Sequence, residues 1–280
     1  MKHAFLIMAH GNLEILNILL SMLEDPSNDI YLHLDSKMGE VKLERHYQNL
    51  YILEERMDLR WGDISLVKCE LNLFQEAFSH GPYLYYHLLS GADLPLKSNE
   101  FIHDFFNINK GKEFVGYSFY KVPIIKNRVL YYYFFSRHQK NIIYKFLIQI
   151  LLIFQKLFHF QRSFPYVFAY GSQWVSISND CVNYIISKRK EILDLYKNST
   201  CCDEVFMQTL LRNSPFYSKI FNANGENCNL RLIDWKRGRP YVWTSADFNE
   251  LMASDAVFAR KFDKTDIQIV YKIMKAVMRH

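Results

Sequence analysis

The hydrophobic pattern of the first third changes period at short intervals. HAFLIMAH (3–10) is an apolar run short enough for a buried strand, and NLEILNILLSMLED then sets Leu13, Ile15, Leu16, Leu19, Leu20 and Leu23 on one helical stripe. DIYLHLDSK reads as a second strand, with Ile30, Leu32 and Leu34 alternating against Tyr31 and His33, and LYILEER as a third. ISLVKCELNLFQEAF predicts a helix, YLYYHLLSG a strand, SNEFIHDFF a short helix capped by Ser98, and KEFVGYSF another strand. Further on, QWVSIS predicts a strand, NDCVNYIISKRKEILDLYK a helix opened by Asn179 or Asp180, NLRLIDW a strand, and DIQIVYKIMKAVMRH a closing helix.

Strands alternating with helices through short connections predict an α/β fold, a mixed and largely parallel sheet flanked by helices on both faces. Ligands of such sheets sit beyond the carboxyl ends of the strands, which nominates the loops at 10–11, 35–37 and 90–93. Composition marks no boundary, so 1–280 reads as a single domain carrying an insert at about 122–168.

The insert has its own pattern. NIIYKFLIQILLIFQKLFHF places Ile143, Phe146, Leu147, Ile150, Phe154, Leu157 and Phe158 on one helical face, with Lys145, Gln149 and Lys156 on the other. Such a helix either lies in a membrane interface with its lysines at headgroup level or packs its stripe into a core. Charge tilts the choice toward the membrane. The 66 residues from 114 to 179 contain no Asp or Glu, but eight Lys or Arg and 19 of the 45 aromatic residues. That asymmetry points to an anionic partner, and the Leu and Ile content suits lipid better than the bases of a nucleic acid.

Bulk composition narrows the class. With 280 residues, 50% of them hydrophobic, the chain can bury a substantial core, and ten glycines and seven prolines leave little for flexible linkers. The five cysteines (69, 181, 201, 202 and 228) follow no disulfide framework, which suggests reduced thiols. The first apolar run is interrupted by His10, Asn12 and Glu14, unlike a secretory signal, and no apolar stretch reaches the roughly 18–20 residues that span a bilayer. The expectation is a cytoplasmic bacterial protein, peripheral at the inner face of the inner membrane.

The densest candidate chemistry is TCCDEVFMQTLL, from 200 to 211. Adjacent Cys201 and Cys202 cannot easily share one tetrahedral zinc, and no second pair completes a set. Thr200 and Asp203 have the spacing of a capping box, with acidic residues at the favourable end of the helix dipole. Capping leaves Glu204 unassigned, and a carboxylate at the mouth of a sheet is also the kind of group that serves as a general base.

WGDISLVKCELNLFQEAF, HLLSGADLPLKSNEFIHDFF, GSQWVSIS, DEVFMQTLLRNSP, LRLIDW and FARKFD, in that order, resemble the core-2/I-branching β-1,6-N-acetylglucosaminyltransferase and xylosyltransferase family. The similarity runs from about 4 to 263, interrupted by the insert. It implies a GT-A-type, Rossmann-like fold, a UDP-sugar donor, a saccharide acceptor and inversion at the anomeric carbon. The family's base, the Glu of the D-E pair, falls on Glu204. The family works without a metal cofactor, and none of the 15 aspartates here forms D-x-D. Its diphosphate lysine falls on Lys261; its arginine has no clean match, Arg239 being nearest and Arg237 second. Trp235 matches a tryptophan that stacks on the acceptor sugar, and Trp174 in GSQW is expected nearby. His10, Asp35 and Asp93, at strand ends, are candidates for the nucleotide side, although both aspartates could equally close Asx turns.

The resemblance thus implies a metal-independent inverting glycosyltransferase, with N-acetylglucosamine the first choice of sugar, acting on a lipid-linked acceptor in bacterial surface-glycan assembly. The alternative is a non-catalytic module that binds membrane or polyanion on a transferase-like scaffold.

Overall fold

The structure, a computed structural model, describes residues 1–118, 122–222, 228–238 and 240–278. The chain opens with β1 (His3–Ala9), α1 (Leu13–Leu23), β2 (Asn28–Leu34), β3 (Leu50–Ile52), α2 (Ser65–His80), β4 (Tyr85–Ser90), β5 (Asp93–Pro95) and α3 (Asn99–Ile108). The insert contributes α4 (Val122–Ile125), α5 (Asn127–Leu130) and the longer α6 (Ile142–Leu157). There follow β6 (Ser176–Ser178), α7 (Asn179–Ser187), α8 (Arg189–Tyr196), α9 (Phe206–Arg212), β7 (Arg231–Ile233), α10 (Phe248–Ala253), β8 (Phe258–Arg260) and α11 (Ile267–Val277).

The main sheet has the order β3-β2-β1-β4-β6. Its first four strands run parallel and β6 runs antiparallel to β4, giving the expected mixed α/β sheet. Alternation along β1 shows how both faces are covered. Phe5, Ile7 and Ala9 join α1 and α11 in one core, while Ala4, Leu6 and Met8 join α2, α7 and α9 in the other. All seven residues of β2 are buried, His33 included, because helices cover this strand on both sides. A smaller sheet, β5-β8-β7, carries the ends of β7 and β8 toward the same edge as β1 and β2.

Several local expectations change. The described residues of KEFVGYSF, 112–118, form no strand: Glu113 and Phe114 each make one isolated bridge, to Ile220 and Ser176. Residues 179–196 form two helices rather than one, and Ser178 is the cap, its hydroxyl accepting from the Cys181 amide at 3.3 Å. The capping box at Thr200 does not form. Cys201 adopts a left-handed conformation (φ 46°), the chain enters a 3-10 turn at Cys202–Glu204, and the Thr200 hydroxyl donates to the Gly62 carbonyl instead. Ser98 does cap α3 as expected.

In α6 the stripe of Ile143, Phe146, Leu147, Ile150, Phe154, Leu157 and Phe158 points to solvent, so it is not a core face. The side against the protein is Ile148, Leu152 and Gln155, lying on Tyr131, Tyr133 and Phe135. Gln155 ties the helix down by accepting from the Tyr132 amide at 2.7 Å and donating to its carbonyl at 3.0 Å.

Candidate active site

A cavity of about 830 Å³ opens at the carboxyl ends of β1, β2 and β7, within the roughly 300–1,000 Å³ typical of small-molecule sites. His10 follows β1, Asp35 and Lys37 follow β2, Trp235 follows β7, and Arg260 ends β8; all five line it. Trp174, Asp203 and Glu204 line it too, as do residues 137–141.

At the strand-end side the charges are arranged by short local bonds. Asp35, almost wholly buried, accepts from the Lys37 amide at 2.9 Å and pairs with its ammonium at 2.9 Å. Lys37 also pairs with Asp58 at 2.9 Å, and Arg60 first, then Lys37, hold the Asp58 carboxyl down at about 2. The His10 ring opens on the cavity, yet the protein packed around it lowers its pKa; Arg260, Lys261 and Lys37 add to this while Asp35 opposes it. The imidazole is therefore neutral at physiological pH, a hydrogen-bonding group in a cationic surround.

Arg260 is a cavity cation that the sequence reading missed. Its guanidinium lies 4.1 Å from the centre of the Trp174 ring and 3.5 Å from Asp93, and its Nη1 has no hydrogen-bond partner. Asp93 itself does not line the cavity; it closes the 90–93 turn, accepting from the Ser90 amide at 2.9 Å and its hydroxyl at 2.8 Å. Lys261 sits next to Arg260, off the cavity lining but close enough to act on His10. Arg237 is not brought to the cavity. It is clasped by Asp234, Asp247 (2.9 Å) and Glu250 (2.8 Å) and stacks on Tyr241, so its charge is already met. Arg239 lies outside the described residues.

Glu204 is held from three sides. Its Oε2 accepts from Arg128 Nη1 at 2.9 Å, the Tyr170 hydroxyl bonds to the same carboxylate, and its carbonyl accepts from the Gly171 amide at 3.0 Å. Arg128 comes from α5, in the insert, where no motif pointed to it. Behind Glu204, Asp203 is buried and its carboxyl rises to about 7, because of burial first and the neighbouring Glu204 second. Glu70 of α2, fully buried, is likewise raised by burial and by Asp203. Gln173 donates to Glu70 Oε1 at 2.8 Å, whereas Glu70 Oε2 and Asp203 Oδ1 have no partner. Among the described residues no cluster of His, Cys, Asp or Glu is arranged to hold a metal. Cys201 and Cys202 are buried free thiols, and burial pushes the Cys201 thiol up to about 11. Trp235 exposes a broad ring face on the cavity rim, while Trp174 is occupied by Arg260.

With this geometry in place, comparison with known sequences is decisive on the family. The sequence model of the Core-2/I-Branching enzyme family matches residues 3–255. The chain belongs to that family. It is similar to the xylosyltransferase oxt of Drosophila pseudoobscura pseudoobscura, with 25% identity over 93% of this chain and 31% of that protein. It is also similar to xylosyltransferase 2 of Mus musculus (24% identity, 97% of this chain and 33% of that protein) and to xylosyltransferase sqv-6 of Caenorhabditis elegans (23%, 85% and 32%). The chain thus spans about a third of the length of these curated relatives. Its parallel-rich sheet flanked by helices is the GT-A-like arrangement that the resemblance implied. No helix among the described residues is long and apolar enough to cross a membrane.

Proposed function

We propose that the protein transfers a sugar from a UDP donor to a saccharide hydroxyl, with inversion and without a metal ion. The observation that carries this reading is Glu204, a carboxylate paired with Arg128 in a cavity that Lys37 and Arg260 also line. In the step proposed, the acceptor oxygen attacks the anomeric carbon as its proton passes to Glu204. The bond from that carbon to the diphosphate oxygen breaks, and its electron pair leaves with UDP. Arg260 and Lys261 meet the charge that develops on the diphosphate, Arg260 offering an unpaired N–H. His10 and Asp35 border the nucleotide. Trp235 gives the acceptor ring an apolar face.

Xylosyl transfer is what the relatives' names state, while N-acetylglucosamine is the sugar of the branching enzymes that the motifs resemble; the second is our choice for this donor. The acceptor we infer is a lipid-linked saccharide in surface-glycan assembly.

The test is release of UDP from a panel of UDP-sugars in the presence of EDTA, for wild type and Glu204→Gln, with UDP binding titrated in the same samples. The proposal expects one donor to be turned over, a loss of roughly 10²–10⁴-fold in the variant, and UDP binding retained in both. Failure to bind UDP would leave a non-catalytic scaffold; activity abolished by EDTA would refute metal independence.

A further inference from the structure

The insert ends in a surface that the fold leaves uncovered. Along α6, Ile142 (76% exposed), Phe146 (67%), Ile153 (64%) and Leu157 (69%) face outward with Phe154 and Phe158, while only the opposite side touches the protein. A soluble surface rarely displays so many large apolar side chains contiguously without a partner. Phe134 and Phe160, both exposed and each stacked on Tyr132, extend the patch beyond the helix.

Charge says what the partner is. Lys145 and Lys156 lie in line about three turns apart on the polar edge of α6, between the packed and the apolar sides, and both are exposed. Neither pairs with a carboxylate among the described residues, and the segment from 114 to 179 has no acidic residue to neutralise them. A second copy packed on the apolar face would leave these charges without a counter-charge. An anionic bilayer accepts the apolar side chains among its acyl chains and the ammonium groups at its headgroups.

We infer that α6 is a docking helix that lies in the headgroup region of an anionic lipid bilayer. It sits beside the cavity: Asn141 caps α6, its Oδ1 accepting from the Ile143 amide at 2.9 Å, and the same Asn141 lines the cavity wall. Docking therefore brings the cavity mouth to the membrane surface, where a saccharide on a lipid carrier would be met. The docking itself rests on α6 alone; its use for the acceptor rests on the transfer reading above.

The experiment is co-sedimentation of the full chain with phosphatidylcholine vesicles, with and without one-quarter phosphatidylglycerol (roughly the anionic share of a charged leaflet). Wild type is compared with Phe146→Glu/Phe154→Glu and Lys145→Glu/Lys156→Glu, with the near-ultraviolet circular dichroism of each as a check on folding. Wild type is expected to bind the anionic vesicles at least tenfold more tightly than neutral ones, and to weaken as salt rises. The phenylalanine pair should lose binding at both salt levels; the lysine pair should lose roughly fivefold per residue at low salt only. UDP binding should survive in both variants, so a failure of docking and a failure of the cavity reading give different results. Equal binding by wild type and folded variants, or none by wild type at low salt, overturns the inference. So does a dimer in solution that the phenylalanine pair abolishes, since that would assign the face to a second copy.

Discussion

Replacing Asp203 with asparagine removes an ionisation that the fold opposes. The carboxyl is raised from 3.8 to about 7, chiefly by burial and then by Glu204, so the folded chain holds a proton there that the unfolded chain has released. A shift of that size corresponds to roughly 4 kcal/mol between the two protonation states. Its sign follows from linkage: the stabilisation is fully present below the unfolded value near 4, and is lost as pH rises through about 7. At pH 8 wild type therefore carries the full cost of a buried charge. Asparagine escapes the charge but remains a buried polar group beside Glu70, which reduces the gain to about 1–3 kcal/mol. In a chain of 280 residues that is about 2–5 °C in melting temperature. The assay is thermal unfolding of wild type and Asp203→Asn from pH 4 to pH 8.5. Comparing the two chains cancels the opposing trends from salt-bridged Asp58 and Asp234 and from the lowered histidines. Asp203→Asn should be the less stable chain at pH 4, by about 1–3 kcal/mol, overtake wild type across pH 5–7 and level off above. A difference that is flat with pH, or that favours the variant most in acid, would refute the argument.

Other predictions concern single contacts. Arg260→Met should weaken UDP binding about 10–100-fold while sparing uridine, measured by calorimetry, because only the diphosphate would use the free guanidinium N–H. Arg128→Ala should lower turnover tenfold or more at unchanged UDP affinity, with partial recovery in Arg128→Lys, since the pair orients the carboxylate proposed as base. Trp235→Ala should raise the acceptor KM several-fold and leave the donor KM alone, as its exposed ring borders the cavity. Gly171→Ala should lower the melting temperature by several degrees, since a Cβ there would fall 1.8 Å from the Gly116 carbonyl oxygen, and relieving that clash costs about 1–3 kcal/mol.

Local periodicity made the Rossmann-like half of the chain legible. The stripe of α1, the short apolar runs of β1 and β4 and the Ser98 cap depend on neighbours a few residues away, and they stand where the pattern put them. The ends of β1 and β2 could be named as ligand loops because parallel sheets place them together. What escaped notice depends on contacts between distant segments. KEFVGYSF has the composition of a strand, but Glu113 and Phe114 find partners on opposite sides, at Ile220 and Ser176, and pair no further. Thr200 has the spacing of a capping residue, yet the Gly62 carbonyl, more than a hundred residues away in sequence, takes its hydroxyl. Arg260 looked like the neighbour of Lys261 until Trp174 and Asp93 turned it into the cavity. Arg128 lies 76 residues from Glu204, in a segment where no motif was recognised. The period of α6 revealed its apolar stripe but not which side would meet the protein, because Ile148 and Leu152 are as apolar as Phe146 and Phe154.

The bond between Arg128 and Glu204 has a consequence for how the molecule can be cut or recombined. In sequence, 122–168 reads as an insert that could be trimmed away. Yet it is sewn in through the Thr200 amide to the Arg128 carbonyl (3.0 Å) and through Gln139 to the Trp61 carbonyl (2.7 Å). Excising 122–168 would remove a wall of the cavity together with the cation that orients its carboxylate. A chimera that borrows α6 alone would move its exposed apolar face and leave Arg128 behind; one that exchanges the whole segment must bring its own partner for Glu204. On the two proposals above, anchoring and catalysis are inherited as one piece.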